Sequence, residues 1–450
     1  MKGLKFKKGP VILPLALLAV VLAGYTALNF RGVSAADSLS LGQQYLNDMD
    51  YGGAVAAFTQ AIELDPANRE ARLGLAQAYI GADNDDFARD MLGEMIDTQQ
   101  PDEDAVRILL DMLRQNGQLV QAAGLSQILI ETTDKEEYYT LQEELLAELA
   151  ARPRSLAEGT DQTLLIQNGQ VLSQGSNTLG QLGLDPAAVP SAEQYGSAQY
   201  SGGTPLKVAC VGRTSFVVDS SGGLWAAGEN RWGQMGEGYA AMVPQSGWVQ
   251  VPVPGPVADA AGTTGRLLVL LTDGSLWAAG SGTDQTLERI TRFPVVVELA
   301  SSQQYAAVLT ADGALYRSSS QTPQQWELVA REVSSFTLSG NSLYWVTLDN
   351  QTGSSQGTSL RVPSSWYDED GQFAPPFYIN EIAALNGSYL LTDGKGVLYQ
   401  LPGDGTVQEV SLPAAVTALY FAGERLVLEL ADGSAQVWSP GAAAPQPLTV

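Results

Sequence analysis

Three patterns of apolar and polar residues divide the chain. From Val11 to Phe30 the apolar residues run almost unbroken, interrupted only by Pro14, Gly24, Thr26 and Asn29. From residue 35 to about 152 they recur at helical spacing, as in Tyr138, Leu141, Leu145 and Leu149. From about 160 to the end, short β-rich runs alternate with tight turns that end in glycine. The patterning predicts a multidomain chain: a membrane helix, an all-α repeat module and an all-β module of repeated hairpins.

At about 1.5 Å per residue, twenty apolar residues span a hydrocarbon core of roughly 30 Å. Lys2, Lys5, Lys7 and Lys8 precede this run. They should stay cytoplasmic, which makes 1–8 a basic tail, 9–30 a transmembrane signal anchor and the remainder extracellular. The expected location is therefore a cell membrane, crossed once. Cleavage at Val33-Ser34-Ala35, giving a secreted protein, is the alternative. No Cys stands at the end of the run, which excludes lipoprotein attachment.

In the helical region, Leu41, Gly42, Tyr45, Ala54, Phe58, Ala61 and Pro66 fall at positions 7, 8, 11, 20, 24, 27 and 32 of a 34-residue unit starting at Ala35. Leu75, Ala76, Tyr79, Ala88, Leu92 and Met95 repeat the pattern from Arg69, and Leu109, Leu113 and Ala122 keep part of it from Glu103. Small residues let paired helices approach, large ones fill the gaps, and one pair alone cannot bury its apolar face. The pattern resembles the tetratricopeptide repeat over 35–152, with a capping helix at the end. That resemblance implies a peptide groove lined by the first helix of each unit: here Gln43, Asn47, Gln77, Asp111 and Arg114. A spacer or dimerisation role is the alternative.

In the β region, Thr272-Asp-Gly-Ser-Leu-Trp-Ala-Ala-Gly280 parallels Ser220-Ser-Gly-Gly-Leu-Trp-Ala-Ala-Gly228. Turn glycines are read at Gly169, Gly222, Gly274, Gly313, Gly353, Gly394 and Gly433. Seven hairpin units imply blades around an axis. Gln174-Gly-Ser-Asn-Thr-Leu-Gly-Gln-Leu-Gly183 and Ala227-Gly-Glu-Asn-Arg-Trp-Gly-Gln-Met-Gly236 resemble the signature of regulator-of-chromosome-condensation repeats, which implies a seven-bladed β-propeller over 161–450. Later units lose the Gly-Gln-Leu-Gly half, which leaves other propeller families open. Gln446-Pro-Leu-Thr-Val450 matches Thr204-Pro-Leu-Lys-Val208. The C-terminus is therefore expected to complete the first blade, and 153–160 to be a linker.

Charge changes the picture of partners. Five of the 24 basic residues precede the first acidic one, Asp37, and all 49 acidic residues follow, so the exported part is more negative than the −25 of the whole chain. Such a surface repels phosphate backbones, which excludes nucleic acid as a partner. The absence of histidine removes Ser-His-Asp and Cys-His catalysis and imidazole metal ligation. Cys210, the only cysteine, sits in a strand-like run and allows no intramolecular disulfide. Asp368-Glu369-Asp370-Gly371 lacks the spacing of a calcium loop. The expectation is no enzyme, no cofactor and no metal.

Aromatic residues in or beside the inter-blade insertions are the candidate binding face: Tyr195, Tyr200, Trp232, Tyr239, Trp248, Trp366, Tyr367, Phe373, Phe377 and Tyr378. Trp225, Trp277, Tyr316, Tyr399 and Trp438 recur at strand positions and are expected to pack the blades. The first reading is a membrane-anchored scaffold for a protein or peptide partner at the outside of a bacterial cell. The alternatives are a cell-wall glycan-binding module and an envelope hydrolase using propeller carboxylates.

Overall fold

The computed structural model describes residues 34–96, 100–237, 247–283, 285–357, 362–367 and 373–448. The basic tail, the apolar run at 9–30, Tyr239 and the acidic stretch Asp368 to Gly371 lie outside the described residues. Among the described residues no helix is long and apolar enough to cross a membrane.

Seven helices fill the first module: α1 (Ala35–Asn47), α2 (Tyr51–Leu64), α3 (Arg69–Gly81), α4 (Asp85–Ile96), α5 (Glu103–Gln115), α6 (Leu119–Thr133) and α7 (Glu136–Ala150). Their starts follow from capping chemistry. Ser34, Asn68 and Asp102, one repeat length apart, each accept from a backbone N–H in the first turn of α1, α3 and α5. Phe58 of α2 is fully buried and wedges three helices together. A Cβ at Gly42 would lie 2.6 Å from its ring and one at Gly74 2.4 Å, so no larger residue fits at either position without displacing the ring.

Seven antiparallel sheets follow, each laid down in chain order. Their strands lie within 156–197, 205–250, 257–289, 296–330, 333–354, 381–410 and 416–447, here blades 1 to 7. Blade 5 has three strands among the described residues and the others have four. Most of the expected turn glycines hold, with Gly169, Gly222, Gly274, Gly313 and Gly433 all at positive φ. Two do not. Gly353 lies in the strand Thr352–Ser354, and the turn before it places Asn350 at φ 62. In blade 6 the positive φ belongs to Gly396, two residues beyond Gly394. Asn tolerates the left-handed region, so a search for glycine alone misplaces the fifth turn.

Ring closure also differs from expectation. Gln446 and Pro447 pair with Val437 and Gln436 inside blade 7 and do not complete blade 1. The missing strand of blade 1 is Leu156–Glu158, from the stretch read as a linker, paired with Thr163–Leu165. The ring is closed by side chains across the blade 1–blade 7 seam. Ser155 N donates to Glu429 at 2.8 Å, Leu156 N donates to the Tyr420 hydroxyl oxygen at 3.2 Å, and Arg425 pairs with Glu158. Pro447 has no N–H to give to a ladder, so a terminal segment carrying it is a poor closing strand.

The helical module sits on the propeller. Leu109, Leu113, Leu125 and Leu129 share one apolar cluster with Val297, Leu309, Val333 and Phe336. Gly124 of α6 comes so near blade 4 that a Cβ there would stand 3.3 Å from the Ala311 carbonyl oxygen.

Candidate functional site

The ring has two faces. On one, the turns between second and third strands meet the connectors between blades: Gly222 lies against Pro256, and Gly313 against Glu332. The helical module covers this face over blades 3 to 6. Gln118 donates to Asn380 Oδ1 at 3.3 Å, Lys395 pairs with Asp83 at 2.6 Å, and the Tyr378 hydroxyl donates to Asp90 at 2.6 Å. The other face carries the loops leaving the third strands. There Trp232 lies against Gly265, and Gly441 N donates to Asn386 Oδ1 at 2.7 Å.

The four uncharged or acidic residues predicted for the repeat groove, Gln43, Asn47, Gln77 and Asp111, are all exposed, on α1, α3 and α5. Arg114 is half-buried and already paired, with Glu144 at 3.0 Å and with Glu148, both on α7. Its charge is spent inside the module.

The aromatic candidates do not form one platform. Trp366 and Tyr378 are buried, at 5% and 8% exposure. Phe373 and Phe377 pack on Trp366 at 6.3 and 5.5 Å between ring centres, and Phe377 stacks on Tyr399 at 4.5 Å. Tyr200 stands edge-on between Trp225 and Trp248, whose indole N–H donates to the Ala198 carbonyl. Tyr195 is half-buried against the blade 1–blade 7 seam. Among the described candidates only Trp232, at 45% exposure, and Tyr367, at 44%, present large surface. Arg231 lies 5.1 Å from the Trp232 ring centre. The strand-position aromatics pack as expected: Trp438 is buried, and Tyr316 lies 5.0 Å from Phe293.

The signature polar residues build loops. Asn177 is fully buried, donates to the Leu184 and Val189 carbonyls and accepts from Leu182 N. Gln181 accepts from Leu179 N and donates to Asp161, while Gln234 accepts from Trp232 N. With these bonds made, Asn177, Gln181 and Gln234 are loop braces, each fixing its turn from within.

The feature the sequence reading missed is a buried charged hub where α7 meets the propeller axis. Arg154 makes a two-pronged pair with Asp259, at 2.9 and 2.8 Å. Lys207 Nζ donates to the Ala258 carbonyl at 2.7 Å, and burial pulls it down to about 8. Burial pushes Glu298 up to about 8, with the Glu381 charge adding to it, and pushes Glu381 up to about 7. One oxygen of each carboxylate is enclosed without a hydrogen-bond partner. Beyond the hub a channel of about 420 Å³ runs toward the far face, lined there by Gly159, Gln303, Asn341 and Glu424. Cys210 lines it too, but burial pushes its thiol up to about 12, which leaves it unreactive. Among the described residues no group of His, Cys, Asp and Glu could hold a metal ion. The signal available in the sequence was a charged residue inside an otherwise apolar strand, as in Pro205-Leu-Lys-Val and Val257-Ala-Asp-Ala.

The fold thus joins a helical repeat array to a closed ring of blades. More particularly, it is a tetratricopeptide repeat module followed by a seven-bladed propeller like that of the regulator of chromosome condensation. A tetratricopeptide repeat family model matches residues 46–113. Protein RCC2 homolog of Xenopus laevis is 41% identical over 81 residues, covering 17% of this chain and 15% of that protein. Human protein RCC2 is 39% identical over 85 residues, 18% of this chain and 16% of that protein. The chain therefore matches only about a sixth of the length of these curated relatives. Among solved structures, human WBSCR16 has a TM-score of 0.48 at 15% identity, over 61% of this chain and 86% of that one. Prp20p of Saccharomyces cerevisiae has a TM-score of 0.49 at 15% identity, over 68% and 89%.

Proposed function

We propose that the chain is a protein-interaction scaffold, held at the outer face of a membrane by its N-terminal segment, with the repeat groove and the far propeller face as its binding surfaces. The observation that carries this reading is the docking of the helical module. It meets the propeller through α4, α6, α7 and the buried Leu109 and Leu113 of α5, and leaves Gln43, Asn47, Gln77 and Asp111 exposed on α1, α3 and α5. The four basic residues before the apolar run, and the acidic residues confined to the part after it, support the outward orientation.

The groove chemistry favours a partner segment that is polar or basic. Asp111 on α5 and Glu70 on α3 are exposed, while the exposed Asp104 is paired with Arg69 of α3 at 2.6 Å and Arg107 is a further exposed cation. A glycan would need exposed rings side by side, and Trp366, Phe373, Phe377 and Tyr378 are turned inward, so the protein partner is the reading carried forward.

The test is affinity capture with the full-length chain in detergent, comparing it with Gln77→Arg/Asp111→Arg and with Trp232→Ala. A specific protein retained by the parent and lost by one of these variants supports the reading. Equal retention by all three, or capture of purified wall glycan in its place, overturns it. Protease accessibility of the propeller in intact cells tests the orientation independently.

A further inference from the structure

The cleft between α6 and the edges of blades 4 and 5 plays no part in the scaffold reading. It encloses about 370 Å³, with Val120 and Ile128 on the helix side and Val297, Leu309, Ala311 and Val333 on the propeller side. Gly124 draws the helix against the Ala311 carbonyl, so the cleft is fixed by the docking of the two modules.

One polar group in its wall is left incomplete. Gln121 is 4% exposed, and its Oε1 accepts from the buried Arg89. Its Nε2, the other half of the same amide, is enclosed without an acceptor. The neighbouring hydroxyls are spent within the fold: Ser334 donates to the Val346 carbonyl at 3.2 Å and Thr310 to the Ala314 carbonyl at 2.9 Å. A buried donor left unmet is costly, and native folds rarely keep one without a use.

The rim sets the charge of what enters. Glu131, Asp312 and Glu332 surround the opening, against Arg331 as its cation. Anions are repelled there, and a cation moving inward would leave the rim carboxylates for apolar walls. A cleft of this size, apolar with one placed donor and lying between modules, has the character of a small-molecule site.

We propose that this cleft binds a small neutral amphipathic molecule whose carbonyl oxygen, as in a ketone, ester or amide, accepts from the Gln121 side-chain amide. The apolar body of the ligand fills the space between α6 and blades 4 and 5. Because Gln121 also holds Arg89, which lies 4.4 Å from the Tyr378 ring centre, the ligand sits beside the contact that Tyr378 makes with Asp90 and Arg89 between the modules.

The test uses the full-length chain and the neutral dye 6-propionyl-2-(dimethylamino)naphthalene, with its propyl analogue, which lacks the carbonyl. Saturable one-to-one binding with blue-shifted emission and a Kd on the order of 10 μM is expected, with the ketone about tenfold tighter than the analogue. Ile128→Trp on the helix side and Leu348→Trp, on the blade 5 residue that also lines the propeller side, fill the cleft from opposite sides and should each weaken binding by about tenfold or more. Gln121→Leu should abolish the preference for the ketone, with melting temperatures checked for every variant. Absence of saturable binding overturns the proposal, as does binding untouched by both tryptophan variants. A ketone preference that survives Gln121→Leu also overturns it. If one tryptophan variant fails to fold, the other decides.

Discussion

The Tyr378 hydroxyl donates to the Asp90 carboxylate at 2.6 Å, joining the connector before blade 6 to helix α4 across 288 residues of sequence. The same ring lies over the Arg89 guanidinium. The bond is therefore one half of a latch, in which a single aromatic residue meets both a cation and an anion of the helical module. Burial raises Asp90 to about 6, against the lowering effect of the Tyr378 bond.

Tyr378→Phe keeps the ring on Arg89 and removes only the hydroxyl. Stability should fall by about 1–2 kcal/mol, read as a lower midpoint in urea unfolding. Tyr378→Ala should cost more, about 3–5 kcal/mol, because the buried ring and its contact with Arg89 go with it. Equal losses in the two variants would show that the hydroxyl bond carries the latch and the ring carries none of it.

The charged hub predicts an inverted pH dependence. Glu298 and Glu381 are raised from 4.5 to about 8 and about 7, so the folded protein binds protons that the unfolded chain has already released. Their effect is to lower stability as pH rises from about 4.5 through those values. Lys207, pulled down from 10.5 to about 8, acts in the opposite sense higher up, since the folded state releases its proton first and gains as pH rises from about 8 toward 10.5. The melting temperature should therefore decline from pH 5 to a minimum near pH 8. Glu298→Gln should flatten the decline and raise stability at pH 8 by an amount on the order of 2 kcal/mol. Calorimetry across that range on both proteins makes the comparison.

Phe58 offers a test of the repeat module alone. Its ring fills the space that Gly42 and Gly74 leave open, so Phe58→Ala opens a cavity shared by three helices. A loss of about 3–5 kcal/mol is expected, with far-UV circular dichroism showing helix melting ahead of the β signal. Gly74→Val should be comparably damaging from the other side, because its added methyls collide with the same ring.

Much of this was legible in the residues. The repeat positions of Gly42, Ala54, Phe58 and Ala61 are steric requirements that survive translation into sequence, and the Asp-Gly turns at Gly274, Gly313 and Gly433 report the backbone directly. The surface was harder to read. Trp366 and Tyr378 look alike in the sequence, both aromatic residues in a long insertion, and neither carries a local sign of what covers it. For Tyr378 that cover is α4, nearly 290 residues earlier, and for Trp366 it is Phe373, Phe377 and the strands of blade 6. The hub was hidden for the same reason. Lys207, Asp259, Glu298 and Glu381 come from four different blades and meet only because the blades share an axis. Turn chemistry misled in two places, where Asn350 took the left-handed position expected of Gly353 and Gly396 the one expected of Gly394.

The closure of the ring gives the sharpest contrast between the two readings of the chain. If the C-terminus completed blade 1, deleting Pro447 to Val450 would open the propeller. In the fold, Pro447 pairs only with Gln436 in its own blade, both Gln446 and Pro447 are exposed, and Leu448 packs half-buried at the blade 1–blade 7 seam. Removing these residues should cost about 1 kcal/mol or less. The closing load falls on Leu156, which is fully buried and sits beside Tyr420 and Glu429 at the seam. Leu156→Ala should cost about 2–5 kcal/mol, and Glu158→Ala should add a further loss by leaving Arg425 without its partner. Thermal melts of the truncation beside Leu156→Ala separate the two closures. A large drop from the truncation with a small one from Leu156→Ala would restore the terminal strand as the closing element.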